Sequence, residues 1–172
     1  MSEPTARLRT ERLDLVPLAE TDADEMSVVL ADPILYAFTG GEPPDPRSLR
    51  ERFARLAVGH SADGTEEWHN WIARMTGDGV AVGTVQATIH AGPRSAEIAW
   101  VIGVPWQGHG YASEAAQALV GWLVRLGVPT IVAHVHPDHA ASAAVAARAG
   151  LVATDQIHDG ERLWRLGPPS RG

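Results

Sequence analysis

The 172-residue chain contains no cysteine, which excludes a disulfide framework and any metal site built on thiolates. It also lacks an apolar run of about 18 residues, the length that crosses a bilayer, so we expect no membrane association. The first seven residues, 1–7, lack the apolar segment of a secretory signal, and a cytoplasmic location is predicted. Only 14 side chains are basic against 21 acidic ones, and the basic ones are scattered, so nucleic acid is not expected as a partner.

An apolar fraction of 45% is ordinary for a globular protein, and the length suits one domain over 1–172 with a frayed tail at 167–172. Hydrophobic periodicity predicts helices at about 22–31, 47–58, 111–126 and 139–149. Strands are predicted at 8–18, 68–75, 80–90, 96–102, 130–136, 151–157 and 162–166, with an irregular loop at 38–46. The strands at 96–102 and 130–136 are joined through a helix, so we expect them to be parallel within one α+β (mixed α/β) domain.

The most informative stretch runs from Ala99 to Ala115, where an apolar strand passes through Gly103, Gly108 and Gly110 into an alanine-rich helix. Closely spaced glycines allow several backbone N–H groups to converge, and the start of a helix adds a positive dipole end. A strand, a glycine turn and a helix start in this order predict a phosphate-binding site.

Two familiar nucleotide-binding motifs do not fit this turn. In a Walker A loop a Lys-Ser/Thr pair would stand where this chain has His109-Gly110. The dinucleotide-binding motif requires glycine or alanine at position 113, which is Ser113. It also requires an acidic residue about 20 residues further on, where the chain reads Val-Pro-Thr-Ile at 128–131.

The segment Gln107-Gly-His-Gly-Tyr-Ala112 fits the Q/R-x-x-G-x-G/A pattern of the GNAT acyl-CoA N-acyltransferases. Other segments that resemble this superfamily occur in its order and spacing, at 10–18, 82–85, 96–102, 110–115 and 142–151. Together they cover nearly the whole chain, and the opening segment resembles the RimJ/RimL-like branch of ribosomal-protein N-acetyltransferases.

The resemblance implies the GNAT fold, a mostly antiparallel sheet whose central parallel strands splay apart, flanked by helices. Coenzyme A, brought by acetyl-CoA as the co-substrate, would lie in that split. Its pantetheine arm would pair with the backbone of Val101, Ile102, Gly103 and Val104. Its pyrophosphate would take N–H groups from Gln107, Gly108, His109, Gly110, Tyr111 and Ala112, and Ser142 would lie near the thiol.

The implied activity is acetyl transfer to a primary amine by direct attack in a ternary complex. The acceptor would be a small-molecule amine or a protein N-terminus, and the enzyme a monomer or homodimer. Glu97 is the candidate base, with His139 as the alternative. His139 stands where the family usually has asparagine, three residues before Ser142. Ser142 or a water would protonate the leaving thiolate, and a backbone N–H near Val101 or Ile102 would stabilise the carbonyl oxygen.

Two alternatives stay open. The stretch His134-Val-His-Pro-Asp-His139 resembles the metal-binding signature of metallo-β-lactamase-fold hydrolases. That family needs further ligands downstream, where His158 is the one remaining histidine, so no metal is expected. His134 and His136 instead share one strand face near the cofactor cleft. The second alternative is a GNAT-like module that binds acyl-CoA without catalysis.

Overall fold

The computed structural model describes residues 4–166, so the tail expected at 167–172 lies outside it. Four α-helices are formed: α1 (Ala23–Val29), α2 (Pro46–Ala57), α3 (Tyr111–Arg125) and α4 (Ala140–Arg148). Eight strands are formed: β1 (Leu8–Arg9), β2 (Leu13–Pro17), β3 (Glu66–Met75), β4 (Ala81–His90), β5 (Ser95–Ile102), β6 (Thr130–Val135), β7 (Leu151–His158) and β8 (Glu161–Leu166). The helices all occur where the sequence predicts them, and residues 39–45 form no regular element, as expected.

One element was predicted wrongly. The single strand expected over 8–18 is two short antiparallel strands, β1 and β2, with Leu8 opposite Leu15. The turn between them is closed by Thr10, whose backbone N–H donates to Leu13 O and whose hydroxyl accepts from Leu13 N–H, both at 2.9 Å. Threonine side chains that bond to nearby backbone compete with an extended strand in this way.

The eight strands form one sheet in the order β1-β2-β3-β4-β5-β6-β8-β7. All neighbours are antiparallel except β5 and β6, which are parallel at only three positions, from Ser95–Thr130 to Glu97–Val132. Beyond that point β5 continues to Ile102 and β6 to Val135 without pairing to each other. The expected fold, a mostly antiparallel sheet with a splayed parallel pair, is therefore confirmed.

Helices cover both faces of the sheet. On one face α3 contributes fully buried Leu119 and Leu123, and Trp122 meets Trp71 edge-on with ring centroids 5.2 Å apart. On the other face α1 and α2 pack through Met26 and Phe53. Full burial of one such side chain stabilises the fold by about 1.5–3 kcal/mol. Helix packing on both faces therefore stabilises the sheet, although β5 and β6 do not pair with each other along the split.

None of the helices between residues 4 and 166 is long and apolar enough to cross a membrane.

Candidate active site

The split between β5 and β6 presents backbone hydrogen-bonding groups. The N–H of Gly103 donates to Val82 O on β4 at 2.8 Å. Antiparallel partners exchange hydrogen bonds at every second residue, so Val101 also bonds toward β4. The backbone groups of Trp100 and Ile102 consequently face the split. Trp100 was not among the residues predicted from the sequence, although this alternation would have identified it once the β4–β5 register was known.

Gln107 stabilises the end of this split. Its side-chain Nε2 donates to Ile102 O at 2.9 Å, and its backbone N–H donates to Val104 O at 3.2 Å. Both groups of Gln107 are therefore engaged within the chain. The N–H groups left for a ligand begin one residue later, at Gly108.

The glycine turn after Gln107 contains several backbone N–H groups without an acceptor in the described part of the chain. Gly108 and Gly110 have φ of +80° and +82°, a left-handed conformation that side chains rarely adopt. Within residues 4–166, no acceptor takes the backbone N–H groups of residues 108–112. The last of these belong to the first turn of α3, where the helix dipole is positive. Converging donors with a positive dipole fit the pyrophosphate of coenzyme A without any lysine.

A hydrogen-bonded ion pair joins this turn to the β1–β2 hairpin. Glu114 accepts hydrogen bonds from the Thr10 hydroxyl, from the Arg12 N–H at 2.9 Å and from Arg12 Nε at 2.8 Å. Arg12 also donates to His109 O at 2.9 Å and lies 4.5 Å above the Tyr111 ring. The side chain of Arg12 thus contacts two residues of the donor-rich turn and stabilises its conformation. Glu114 therefore joins the first turn of α3 to the β1–β2 hairpin, through contacts that the helix dipole alone does not explain.

The surroundings of Glu114 change its titration. Burial, the largest single influence, raises the pKa of this carboxyl, but hydrogen bonds from Thr10 and Arg12 together lower the pKa below its ordinary value. A carboxyl with a depressed folded-state pKa adds stability above its unfolded pKa of about 4.3, and that stability is lost as the pH falls through the folded-state value.

We expect Glu114→Gln to reduce the free energy of unfolding at pH 7 by about 1.5 kcal/mol, because hydrogen bonds to a charged group are lost. The difference from the unchanged chain should shrink below about pH 4. Urea unfolding at pH 7 and pH 3.5 measures both values. Glu51→Gln, at an exposed carboxylate paired with Arg47, is the control and should change stability little. A difference that stays constant with pH would contradict the assignment.

Glu97 is brought together with His134 at the last residue pair before the split. The Nδ1 atom of His134 lies 2.9 Å from Glu97 Oε1, and the two side chains are 47% and 25% exposed for Glu97 and His134 respectively. An ionised carboxylate only accepts, so Nδ1 carries the proton and Nε2 of a neutral His134 has a free lone pair. The pair therefore offers two neighbouring proton acceptors, Glu97 Oε2 and His134 Nε2, at the start of the split. The sequence left the role of His134 open, and the structure places its ring in contact with Glu97.

His139 has a different role. Its Nδ1 accepts the N–H of Ser142 at 3.3 Å and so caps the start of α4, while its ring stacks on Phe38 at 4.5 Å between centroids. Burial, and then the nearby His136, lower the pKa of His139 below its ordinary value. The neutral ring that accepts through Nδ1 carries its proton on Nε2, which makes Nε2 a donor. The geometry disfavours His139 as a base and suits it as a hydrogen-bond donor in the place of the family's asparagine.

The residues of the H-x-H-x-D-H stretch do not converge. His134 contacts Glu97, whereas the rings of His136 and His139 pack against Phe38. Among the described residues, no three histidine, aspartate or glutamate side chains are grouped closely enough to hold a metal ion. Nothing in the arrangement of these residues supports a metallohydrolase site.

Comparisons with known proteins agree with this geometry. A family model described as an acetyltransferase (GNAT) domain matches residues 12–152. No curated protein is similar enough in sequence to count as a match. An acetyltransferase from Agrobacterium tumefaciens strain C58 is 30% identical, with a TM-score of 0.74 over 98% of both chains.

Two more distant structures share the fold. RimL, a ribosomal L7/L12 alpha-N-protein acetyltransferase solved with coenzyme A, has a TM-score of 0.77 at 16% identity, over 93% of this chain and 97% of its own. MccE, a microcin C7 self-immunity acetyltransferase solved with acetyl-CoA and AMP, has a TM-score of 0.74 at 15% identity, over 91% of this chain and 92% of its own.

A sheet opened between two parallel strands, next to a turn rich in N–H donors, fits an acyl-CoA-dependent N-acyltransferase. The match over residues 12–152 then shows that the chain belongs to the GNAT acetyltransferase family. It is an enzyme that transfers an acetyl group, with acetyl-CoA as co-substrate and an amine as acceptor.

Proposed function

We propose that this enzyme acetylates a primary amine, of a small molecule or of a protein N-terminus, by direct attack in a ternary complex. The observation that carries the proposal is the Glu97–His134 pair at the mouth of the split, 2.9 Å apart and partly open to solvent. Family membership supports the transfer itself, and RimL, which shares the fold, is named for its action on a protein N-terminus.

The binding of coenzyme A is proposed to use three parts of the chain. The pyrophosphate accepts hydrogen bonds from the backbone N–H groups of Gly108, His109, Gly110, Tyr111 and Ala112. The backbone of β5 and its extension, from Val101 to Val104, lies along the pantetheine arm, with Trp100 and Ile102 supplying the groups that face the split. Acetyl-CoA, when bound, supplies the acetyl group as a thioester.

The Glu97–His134 pair is proposed to take the amine proton. At neutral pH most primary amines are protonated and have no free lone pair, so a base must act before the nitrogen can attack. The amine nitrogen then bonds to the acetyl carbon, the carbon–sulfur bond breaks, and the leaving sulfur takes a proton; the second proton lost by the nitrogen restores the group that protonated the sulfur. Ser142 is proposed to donate that proton, directly or through water, since its hydroxyl makes no hydrogen bond to another described residue.

A thiol-release assay tests the proposed function. The full chain is incubated with acetyl-CoA and a panel of N-terminal peptides, amino acids, polyamines and aminoglycosides, and free coenzyme A is measured together with the mass of the amine product. We expect thiol release that depends on the amine and equals the acetylated product formed. Tight binding of acetyl-CoA with no release for any amine would overturn the proposal in favour of a non-catalytic acyl-CoA-binding module.

A further inference from the structure

A cavity of about 330 Å³ lies between the α1–α2 face and strands β3, β4 and β5. Leu30, Leu35, Phe53 and Leu56 form an apolar wall on the helical side. The volume is near the lower end for small-molecule sites, which are mostly apolar with a few polar groups that fix the ligand. The cavity therefore suits a compact acceptor.

The sheet side of this cavity is polar. Asn70 and Gln86 are directly opposite each other on β3 and β4, and Thr84 lies two residues away on the same face. All three side chains are half-buried, and none of them forms a hydrogen bond with another residue of the described chain. Amide groups that line a cavity without protein partners are available to a polar ligand.

Arg52, on α2, is the one charged side chain among the described residues that line this cavity. Two other arginines of this helix are paired with carboxylates, Arg50 with Asp24 at 2.7 Å and Arg47 with Glu51 at 3.5 Å. No carboxylate of residues 4–166 forms such a pair with Arg52. The charge of Arg52 also acts on Tyr36, which lines the same cavity. Burial raises the pKa of Tyr36, and the positive charge of Arg52 partly offsets that rise.

The same sheet face leads from the cavity to the Glu97–His134 pair. Ala99 lines the cavity, and Glu97 is two residues earlier on β5, so it projects to the same side at about 7 Å along the strand. An acceptor seated in the cavity can thus bring its amine to Glu97 while the rest of the molecule lies beside Arg52. This placement of the acceptor, like its chemical class, rests on the proposed function.

We propose that the acceptor is a small primary amine that also carries an anionic group, a carboxylate or a phosphate, which Arg52 binds. A guanidinium presents paired donors that match both groups. Asn70 and Gln86 then bind polar atoms between the amine and the anion. A polycation such as a polyamine or an aminoglycoside would place positive charge against Arg52 and is disfavoured.

Steady-state kinetics with matched acceptors test this inference. Each amino acid is compared with its amide and with its decarboxylated amine, phosphoethanolamine is compared with ethanolamine, and spermidine serves as the polycation. We expect kcat/KM for the anionic member of the best pair to exceed that of its neutral counterpart by at least about 30-fold. A higher kcat/KM for an amino acid than for phosphoethanolamine would identify the anion as a carboxylate, and the reverse order would identify it as a phosphate.

Variants of α2 identify the residue responsible. Arg52→Gln should raise KM for the anionic acceptor about 10-fold or more, with kcat, the KM for acetyl-CoA and the kinetics of the neutral counterpart unchanged. Arg55→Gln, at an exposed position in the last turn of the same helix, is the matched control and should leave all of these values unchanged.

Three results would overturn the inference. A kcat/KM for neutral amines or spermidine above that of the anionic acceptors would contradict a role for Arg52 while leaving the proposed acetyl transfer intact. Equal losses for anionic and neutral acceptors in Arg52→Gln would show that the residue acts on the fold. Absence of thiol release with every acceptor would overturn the proposed function, and this inference with it.

Discussion

Glu97→Gln is expected to lower kcat about 10²-fold, with the KM for acetyl-CoA unchanged. The substitution keeps the size of the side chain and its hydrogen bond to His134 but removes the negative charge that takes or stabilises the amine proton. A loss of this size corresponds to about 2.7 kcal/mol of transition-state stabilisation. His134→Gln should produce a similar loss, because the imidazole and the carboxylate are proposed to act together as one proton-accepting pair.

The double variant makes this prediction sharper. Residues that act as one unit lose activity in a strongly non-additive way, so Glu97→Gln combined with His134→Gln should be only slightly slower than either single variant. His158→Gln is the control, since that exposed ring lies edge-on to His134 with centroids 6.0 Å apart and bonds to neither residue. Losses that multiply in the double variant, or an unchanged kcat in Glu97→Gln, would contradict the assignment. Thermal unfolding of every variant separates catalysis from folding.

Gly83→Ala is expected to cost about 3 kcal/mol in the free energy of unfolding and to raise the KM for acetyl-CoA at least about 10-fold. A Cβ atom at position 83 would overlap the carbonyl oxygen of Val101 and lie 2.8 Å from Ile102 Cδ1. Both contacts are on β5, so the strand must move away from β4. That movement displaces the backbone that faces the split, which is where we place the pantetheine arm.

Gly77→Ala is the matched control for Gly83→Ala. Its added Cβ would meet no atom within 4 Å, and its backbone does not require a positive φ. We expect its stability to change by less than about 0.5 kcal/mol and its kinetics not at all. Urea unfolding and the KM for acetyl-CoA are measured for both variants. A Gly83→Ala protein as stable and as active as Gly77→Ala would show that β4 and β5 are not held together in this way.

The glycine turn and the order of the elements were predictable because they depend on local patterns. Gly108 and Gly110 stand between an apolar strand and an alanine-rich helix, and those patterns survive in the folded chain. The β1–β2 hairpin was not predicted, because its turn depends on the hydroxyl of Thr10 and not on a glycine or proline.

The pairing of Glu97 with His134 could not be read from the sequence. The two residues are 37 positions apart, and their contact depends on the register of two parallel strands that pair over only three positions. A shift by one residue would turn one of the side chains to the opposite face. The bond between Arg12 and Glu114, across 102 positions, was hidden as well, because it depends on how α3 packs beside the turn between β1 and β2.

His139 shows how a candidate residue changes role when local structure is known. As a histidine beside the expected cofactor it was a reasonable alternative base, because histidine often acts in that role. The bond from Ser142 N–H to its Nδ1 instead commits one ring nitrogen to the start of α4. The lowered pKa of the ring favours the neutral form at pH 7, in which the outward nitrogen donates.

The three-residue pairing of β5 with β6 also divides the molecule mechanically. Strands β1 to β5 form one hydrogen-bonded unit and β6, β8 and β7 another, and the backbone link between the two units is only three residue pairs long. Local opening in proteins follows such cooperative units. Amide hydrogens of β6 and β8 are therefore expected to exchange through a partial opening that leaves β3 and β4 closed. A ligand that contacts both units would slow that exchange, so the lifetime of the folded unit formed by β6, β7 and β8 would depend on ligand occupancy.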